Sequence, residues 1–417
     1  MGKIVNSPLN EFFTYYISNM EYEISDKLKN VHGSAIREIF DLLKKGNIIS
    51  FAGGMPATQT LPSKQIEGIL QNIISKYGVI ESLQYESTFG KALLLEQLKS
   101  FLAEYKGVNA ELQDMIVLSG GQQGIEFMCK TFVNKGDAVL VENPTYLSTL
   151  QIIQTYEAKA VGVSSNNEGL DLTDLEEKIK THKPKFLYAV PTFGNPTGGT
   201  YSIENRKKIA EITAKYGVMV LEDDPYSQIR FEGEAVPSIK CFDKSENVVY
   251  LASFSKIIAP AMRIAVAVAN PAIIGRFNIS KQSTDVCSSS ISQIIVAEFL
   301  KNNLAAHLKN IIPMYKEKRD QMVNCIEKYF PKSFKYQIPH GGMFVWGYFD
   351  DERDLLACFK DIVDLGVAYL PGTHFFPDGG EKNTMRLNFS NATLEQIEKG
   401  IKVIGEYFRL NLSSNGH

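Results

Sequence analysis

Val218-Met219-Val220-Leu221-Glu222-Asp223-Asp224-Pro225-Tyr226 decides the fold of this 417-residue chain. A run of β-branched and apolar residues reads as a strand buried on both faces, the pattern of a parallel sheet, and the acids and proline after it mark the strand's carboxyl end. In open α/β sheets that end is where ligands bind. From about residue 60 to 300, strand-like runs alternate with helical stretches, as in a doubly wound sheet. Helix is expected through Ile294 to Phe330, and then strands of a smaller domain at Gly341-Gly342-Met343-Phe344-Val345-Trp346 and Val367-Ala368-Tyr369-Leu370. The expected class is α/β, with a large doubly wound mixed-sheet domain and a smaller α+β domain. Its expected division is an N-terminal arm with part of the small domain (residues 1–60), the large domain (61–305) and a C-terminal small domain (306–417). The aromatic opening, Phe12-Phe13-Thr14-Tyr15-Tyr16-Ile17, is expected to pack as an arm over the body or over a partner subunit.

A second apolar run, Val248-Val249-Tyr250-Leu251, leads into Ser253-Phe254-Ser255-Lys256, with Arg263 seven positions beyond the lysine. A lysine at the end of a buried strand, with hydroxyls and a second cation beside it, keeps part of its amine unprotonated. Such an amine suits imine formation with a carbonyl cofactor, pyridoxal 5′-phosphate (PLP). Asp223 then suits the pyridine nitrogen, because a carboxylate there holds the proton that lets the ring accept electrons. Asp224 is expected to point away or to cap the following turn, and Tyr226 to reach the ring hydroxyl. Without these partners, Glu222-Asp223-Asp224 reads as an ordinary acidic loop.

Asn195 lies in Pro191-Thr192-Phe193-Gly194-Asn195-Pro196-Thr197-Gly198-Gly199, after the strand-like Phe186-Leu187-Tyr188-Ala189-Val190. Its side chain can donate to the ring oxygen; alternatively the segment is a Pro/Gly turn in which asparagine tolerates an unusual backbone angle. Met115-Ile116-Val117-Leu118-Ser119-Gly120-Gly121-Gln122-Gln123-Gly124 runs from a strand through small residues into a helix, whose N-terminal amides and dipole favour a phosphate.

In order along the chain, these motifs resemble the fold-type I PLP-dependent enzymes, and within them the class I aminotransferases. Phe51-Ala52-Gly53-Gly54-Met55-Pro56, Asn143-Pro144-Thr145-Tyr146 and Met385-Arg386-Leu387-Asn388-Phe389-Ser390 extend the likeness to nearly the whole chain. Ser34-Ala35-Ile36-Arg37-Glu38-Ile39 is similar to the branch holding 2-aminoadipate and kynurenine aminotransferases and the effector domains of MocR-type regulators. The resemblance implies Lys256 as imine lysine and catalytic base, Asp223 on the pyridine nitrogen, and Asn195 and Tyr226 on the ring oxygen. It also implies Tyr146 stacked on the ring face and Arg386 paired with the substrate α-carboxylate, a role suited to a planar guanidinium. Gly121, Gln122, Ser253, Ser255 and Arg263 would hold the phosphate, and Tyr85 would reach in from the second subunit of a homodimer. Gly54 would line the substrate site. Arg37 would approach the substrate's far end, or else be a solvated residue paired with Glu38 or Asp41. Gly121 stands where a serine is common, Gly194 where glutamine is frequent, and Ala261 where glycine is frequent.

The implied activity is a ping-pong transfer of an amino group between an acidic or aromatic amino acid, such as 2-aminoadipate, kynurenine or phenylalanine, and 2-oxoglutarate. Three alternatives stand beside it: another PLP reaction such as β-elimination from cysteine conjugates, a non-catalytic PLP-binding regulator, and a silent scaffold. For a regulator, the similar region begins near residue 30, leaving no room for a helix-turn-helix before it. The intact set Lys256, Asp223 and Arg386 argues against a scaffold.

Charge is nearly balanced, 44 basic against 47 acidic residues for a net of −3, so nucleic acid and acidic membrane surfaces are not expected partners. Five cysteines, an odd number without a C-x-x-C pair, read as reduced and mostly buried thiols of a cytoplasmic protein. No apolar run is long enough to cross a bilayer, the first residues lack a signal-peptide pattern, and six scattered histidines support no metal.

Overall fold

The computed structural model describes residues 23–29, 31, 48–76 and 78–410, apart from the side chains of Asp26, Val79 and Glu81. The aromatic opening and Arg37 lie outside the described residues. The strands in chain order are β1 (Ile49–Ser50), β2 (Met115–Leu118), β3 (Ala138–Asn143), β4 (Lys159–Asn166), β5 (Gly169–Leu170), β6 (Phe186–Ala189), β7 (Met219–Asp224), β8 (Val248–Ser253), β9 (Ala265–Val268), β10 (Phe334–Tyr336), β11 (Phe344–Phe349), β12 (Val367–Ala368), β13 (Leu370–Pro371) and β14 (Thr384–Asn388).

β2 to β9 form one mixed sheet in the order β2-β9-β8-β7-β6-β3-β4-β5. The central pairs β8–β7, β7–β6, β6–β3 and β3–β4 are parallel, and β9 is antiparallel to both neighbours. Strand order reverses at β3, with β4 on one side and β6 to β8 running out on the other, so the carboxyl ends of β3 and β6 flank a crevice where α/β sheets bind ligands. Every residue of β6 and β8 is buried, as expected for a sheet covered by helices on both faces.

β10, β11, β14 and β13 form a second, antiparallel sheet. A 26-residue helix, Leu304–Tyr329, joins the two bodies: Leu304, Leu308, Ile311 and Tyr315 pack into the core of the large sheet, whereas Met322, Cys325 and Ile326 pack under the small one.

Four expectations change. The helix anticipated from Ile294 to Phe330 is two, Ser290–Asn302 and Leu304–Tyr329, because the backbone leaves helical geometry at Asn303 (φ −126°, ψ −23°). The strand anticipated at Gly341 begins only at Phe344: Gly342 has φ +73°, and a Cβ on Gly341 would fall 2.3 Å from the Phe193 ring, so the chain turns here to let that ring pass. Val367-Ala368 pairs in parallel with β1, and only Leu370-Pro371 joins the antiparallel sheet. The cysteines are free, but only Cys129 and Cys325 are buried; Cys241 is exposed in a surface 3₁₀ turn.

Candidate active site

A cleft of about 290 Å³ opens at the carboxyl ends of β2, β6, β7 and β8, facing β11 and β14 of the small sheet. It lies at the lower end of the range of ligand pockets, roughly 300–1,000 Å³.

Lys256 enters it just past β8, and its Nζ donates to the Gly54 carbonyl at 2.7 Å. Burial, with Arg386 and Arg263 nearby, lowers its amine from the ordinary 10.5 to about 8. Asp223, the penultimate residue of β7, presents a buried carboxyl to the same space and accepts from the Tyr188 hydroxyl at 2.8 Å. Burial pushes this carboxyl up to about 7 against the pull of that hydrogen bond.

Asp224 turns the other way, as expected of alternate strand positions. It accepts from Lys106 Nζ at 3.0 Å, from the hydroxyls of Tyr250 and Ser227, and from the Ser227 amide at 3.0 Å, which caps the turn. Burial would raise its carboxyl, but Lys106 and the hydroxyls outweigh it and hold Asp224 down at about 2.

At the end near Gly120 the cleft can seat an anion. Gly121 opens the helix Gly121–Phe132, and Gly121, Gln122, Ser253, Ser255 and Arg263 all line the wall. The arginine reaches in because Gly120 has no side chain; a Cβ there would fall 2.1 Å from Arg263 Nη2. Arg263 itself sits in the left-handed region at φ +50°, donating to Ser255 Oγ at 3.4 Å. Non-glycine residues held there cost free energy and cluster at functional sites.

At the small-sheet side, Arg386 of β14 is 1% exposed, an unusual place for a guanidinium. It donates to Asn195 Oδ1 at 2.7 Å and to the Ala52 carbonyl, and lies 4.3 Å from the centre of the Phe344 ring. Its Nε is buried without a partner, an orphaned donor at the cleft wall that a carboxylate would satisfy. With Asn195 Oδ1 engaged, the amide NH₂ is the group Asn195 has left to offer. Its loop is shaped by Phe193, buried at φ +52° under the Arg230 guanidinium, and is anchored by Arg206, which donates to the Pro191 carbonyl and the Thr192 hydroxyl. Tyr146, Tyr226 and Gly54 complete the expected set along the wall.

The residues thus fit PLP: an amine of lowered basicity, a buried carboxyl, an aromatic wall, an anion cradle and an orphaned guanidinium N–H in one cleft. Of the sequence-derived candidates described, only Tyr85 lies away from it, 78% exposed on the surface. Sequence reasoning missed Tyr188, Phe344, Lys106 and Arg206. Tyr188 sits in a strand buried on both faces, which has no alternation to show which side chain points at a ligand, and Lys106 and Arg206 are helix residues whose partners lie far away in the chain. Among the described residues no group of three His, Cys, Asp or Glu could hold a metal, and no helix is long and apolar enough to cross a membrane.

The sequence profile of the family "Aminotransferase class I and II" matches residues 60–404. An aromatic-amino-acid aminotransferase of Thermococcus litoralis is 37% identical over 395 residues, 93% of this chain and 94% of that protein. A 2-aminoadipate transaminase of Thermus thermophilus is 33% identical over 378 residues, 90% of this chain and 94% of its own length. Among solved structures, a kynurenine aminotransferase of Pyrococcus horikoshii in complex with PMP superposes with a TM-score of 0.91 at 37% identity, over 95% of this chain and 100% of that one.

Proposed function

This chain belongs to the class I and II aminotransferases, and from that membership we propose that it moves the amino group of an acidic or aromatic amino acid, such as 2-aminoadipate, kynurenine or phenylalanine, to 2-oxoglutarate. It is a PLP-dependent aminotransferase whose substrates are amino acids and 2-oxo acids. The observation that carries the residue assignments is the convergence of Lys256, Asp223 and Arg386 on one cleft.

Bound PLP supplies an aldehyde that captures the amine covalently and a pyridine ring that accepts electrons from the α-carbon. Lys256 would hold the cofactor, and its freed amine would move the substrate α-proton; an amine lowered to about 8 is matched to that task. Asp223 keeps a proton on the pyridine nitrogen. Asn195 and Tyr226 donate to the ring oxygen, and Tyr146 covers the ring face. Gly121, Gln122, Ser253, Ser255 and Arg263 bind the phosphate. Arg386 grips the α-carboxylate, and Gly54 leaves room beside it, since a Cβ there would fall 3.3 Å from Phe344. The first oxo-acid product would leave the shared cleft before the second oxo acid enters, so the kinetics would be ping-pong.

The substrate's far end is assigned to Arg37, outside the described residues. A donor screen against 2-oxoglutarate tests the substrate class. Arg37→Ala should lower kcat/KM for acidic donors more than for aromatic ones; equal losses would remove Arg37 from side-chain reading.

The assembly is proposed to be a homodimer in which Tyr85 completes the neighbour's phosphate cup. Support comes from the exposed apolar patch of Ile80, Leu83 and Tyr85, each at least 75% exposed in the single chain. Mixing Lys256→Ala with Tyr85→Ala protein should restore activity by forming one intact site per hybrid dimer. A sedimentation experiment that finds an active monomer excludes this arrangement. The division at residues 60 and 305 is retained as a proposal, with the helix Leu304–Tyr329 shared between the two bodies. A cytoplasmic location, proposed from the free thiols, is checked by fractionation.

A further inference from the structure

Tyr188 lies in β6, fully buried, and its hydroxyl has a single described acceptor, Oδ2 of Asp223 at 2.8 Å. Both side chains line the cleft. Oδ1 of Asp223 carries no hydrogen bond from the described residues and is the oxygen nearer Gly121, 3.9 Å from where a Cβ on that glycine would lie. Thr149, fully buried, lies close enough to the phenol to act on it, but its hydroxyl has no partner at hydrogen-bonding distance. A buried tyrosine hydroxyl usually finds a polar partner. This one is spent on a carboxylate facing the reaction space, leaving that carboxylate one free oxygen.

We propose that Tyr188 is a positioning residue for amino transfer: by donating to Oδ2 it orients Asp223 with Oδ1 toward the cofactor's pyridine nitrogen and stabilises the carboxylate, so that the shared proton stays on the nitrogen. The inference rests on the assignment of Asp223 to that nitrogen. A hydrogen bond to an ionised carboxylate lowers its affinity for a proton. Without the Tyr188 donor the proton moves from nitrogen to Oδ1, an N–H⁺···⁻O pair becoming N···H–O, and the ring loses its positive charge. Burial already biases Asp223 toward protonation, and the Tyr188 hydrogen bond opposes that bias. Among the described residues no other side chain donates to Asp223: Tyr201, also buried, gives its hydroxyl to Glu142 at 2.6 Å, outside the cleft lining.

The test uses full-length protein loaded with PLP labelled with ¹⁵N in the ring. Wild type should show the shift of a protonated pyridine. Tyr188→Phe, which keeps the ring packing, should move that shift toward the unprotonated value and lower kcat on the order of 10- to 100-fold, the worth of one hydrogen bond to a charged group, with little change in KM. Tyr201→Phe should leave the ¹⁵N shift at its wild-type position. Replacing Tyr188 with 3-fluorotyrosine, a stronger donor, should hold the shift at the protonated value and keeps the test available if Tyr188→Phe loses its fold. A wild-type ¹⁵N shift in Tyr188→Phe overturns the proposal. If Asp223→Ala also leaves the shift unmoved, the assignment of Asp223 itself fails; if only Asp223→Ala moves it, the role of Tyr188 alone fails.

Discussion

Arg386, in the small sheet, donates from Nη1 to Oδ1 of Asn195, in the loop after β6 of the large sheet, at 2.7 Å. The residue assigned to the substrate carboxylate thus orients the residue assigned to the cofactor's ring oxygen, and each sheet holds part of the other's active-site geometry.

That bond makes Arg386 intolerant of a point charge. Arg386→Lys cannot keep Asn195, the Ala52 carbonyl and a carboxylate together, because an ammonium lacks the planar fork. Breaking a buried, hydrogen-bonded charge pair costs about 2–5 kcal/mol, so kcat/KM should fall by tens- to thousands-fold. Steady-state kinetics check this; a loss under about threefold would remove Arg386 from carboxylate binding.

The two aspartates at the end of β7 should part in their phenotypes. Asp223→Ala removes an electrostatic partner of the reacting ring and should slow turnover by roughly 2.7–4 kcal/mol, the cost known for one preorganised group. Asp224→Ala strips Lys106 of its carboxylate, 3.0 Å away in a site where the lysine side chain is 4% exposed. Removing one member of a buried pair costs about 3–5 kcal/mol of stability. Denaturation curves and kcat, measured on both, should rank them oppositely; a more active Asp223→Ala protein would reverse the assignment.

Lys256 should be a liability to the PLP-free protein. Its amine titrates near 8 when folded against 10.5 ordinarily, so between those values the unfolded chain holds more protons and stability rises with pH. Below pH 8 the full cost of the buried charge applies, up to about 3 kcal/mol. PLP-free Lys256→Met should therefore be more stable than wild type at pH 7, the gap closing toward pH 10.5. Urea denaturation at pH 7 and pH 10 reads this directly, and a gap that widens with pH contradicts it. Borohydride reduction and peptide mapping of the loaded wild type should tag Lys256.

Neighbouring glycines should respond in opposite senses. Gly120→Ala places a methyl 2.1 Å from Arg263 Nη2 at φ +91° and should weaken PLP binding at least tenfold. The Cβ of Gly121→Ser would meet nothing nearer than 3.6 Å, and the substitution adds a hydroxyl to the phosphate wall. One net hydrogen bond, about 0.5–1.5 kcal/mol, should tighten PLP severalfold. Absorbance titration distinguishes the two.

By itself the sequence determined the α/β class, the strands that carry Asp223 and Lys256 and the Gly120 turn into a helix, while motif likeness added Tyr146, Gln122 and Gly54 to the cleft. These are local matters: apolar runs ending in polar or glycine residues show where a strand stops, and in a parallel sheet strand ends are where sites form. Motif likeness supplied Arg386, which no periodicity marks. Tertiary structure alone decided that Tyr188 serves Asp223 while Tyr201 serves Glu142, and that Lys106, 118 residues from Asp224, neutralises it. It also decided the break at Asn303 and the turn at Gly341, where room for Phe193 overrides the strand pattern. Apart from the break at Asn303, the deciding contact joins residues far apart in the chain, and a buried polar group takes whichever partner the packed elements bring within about 3 Å.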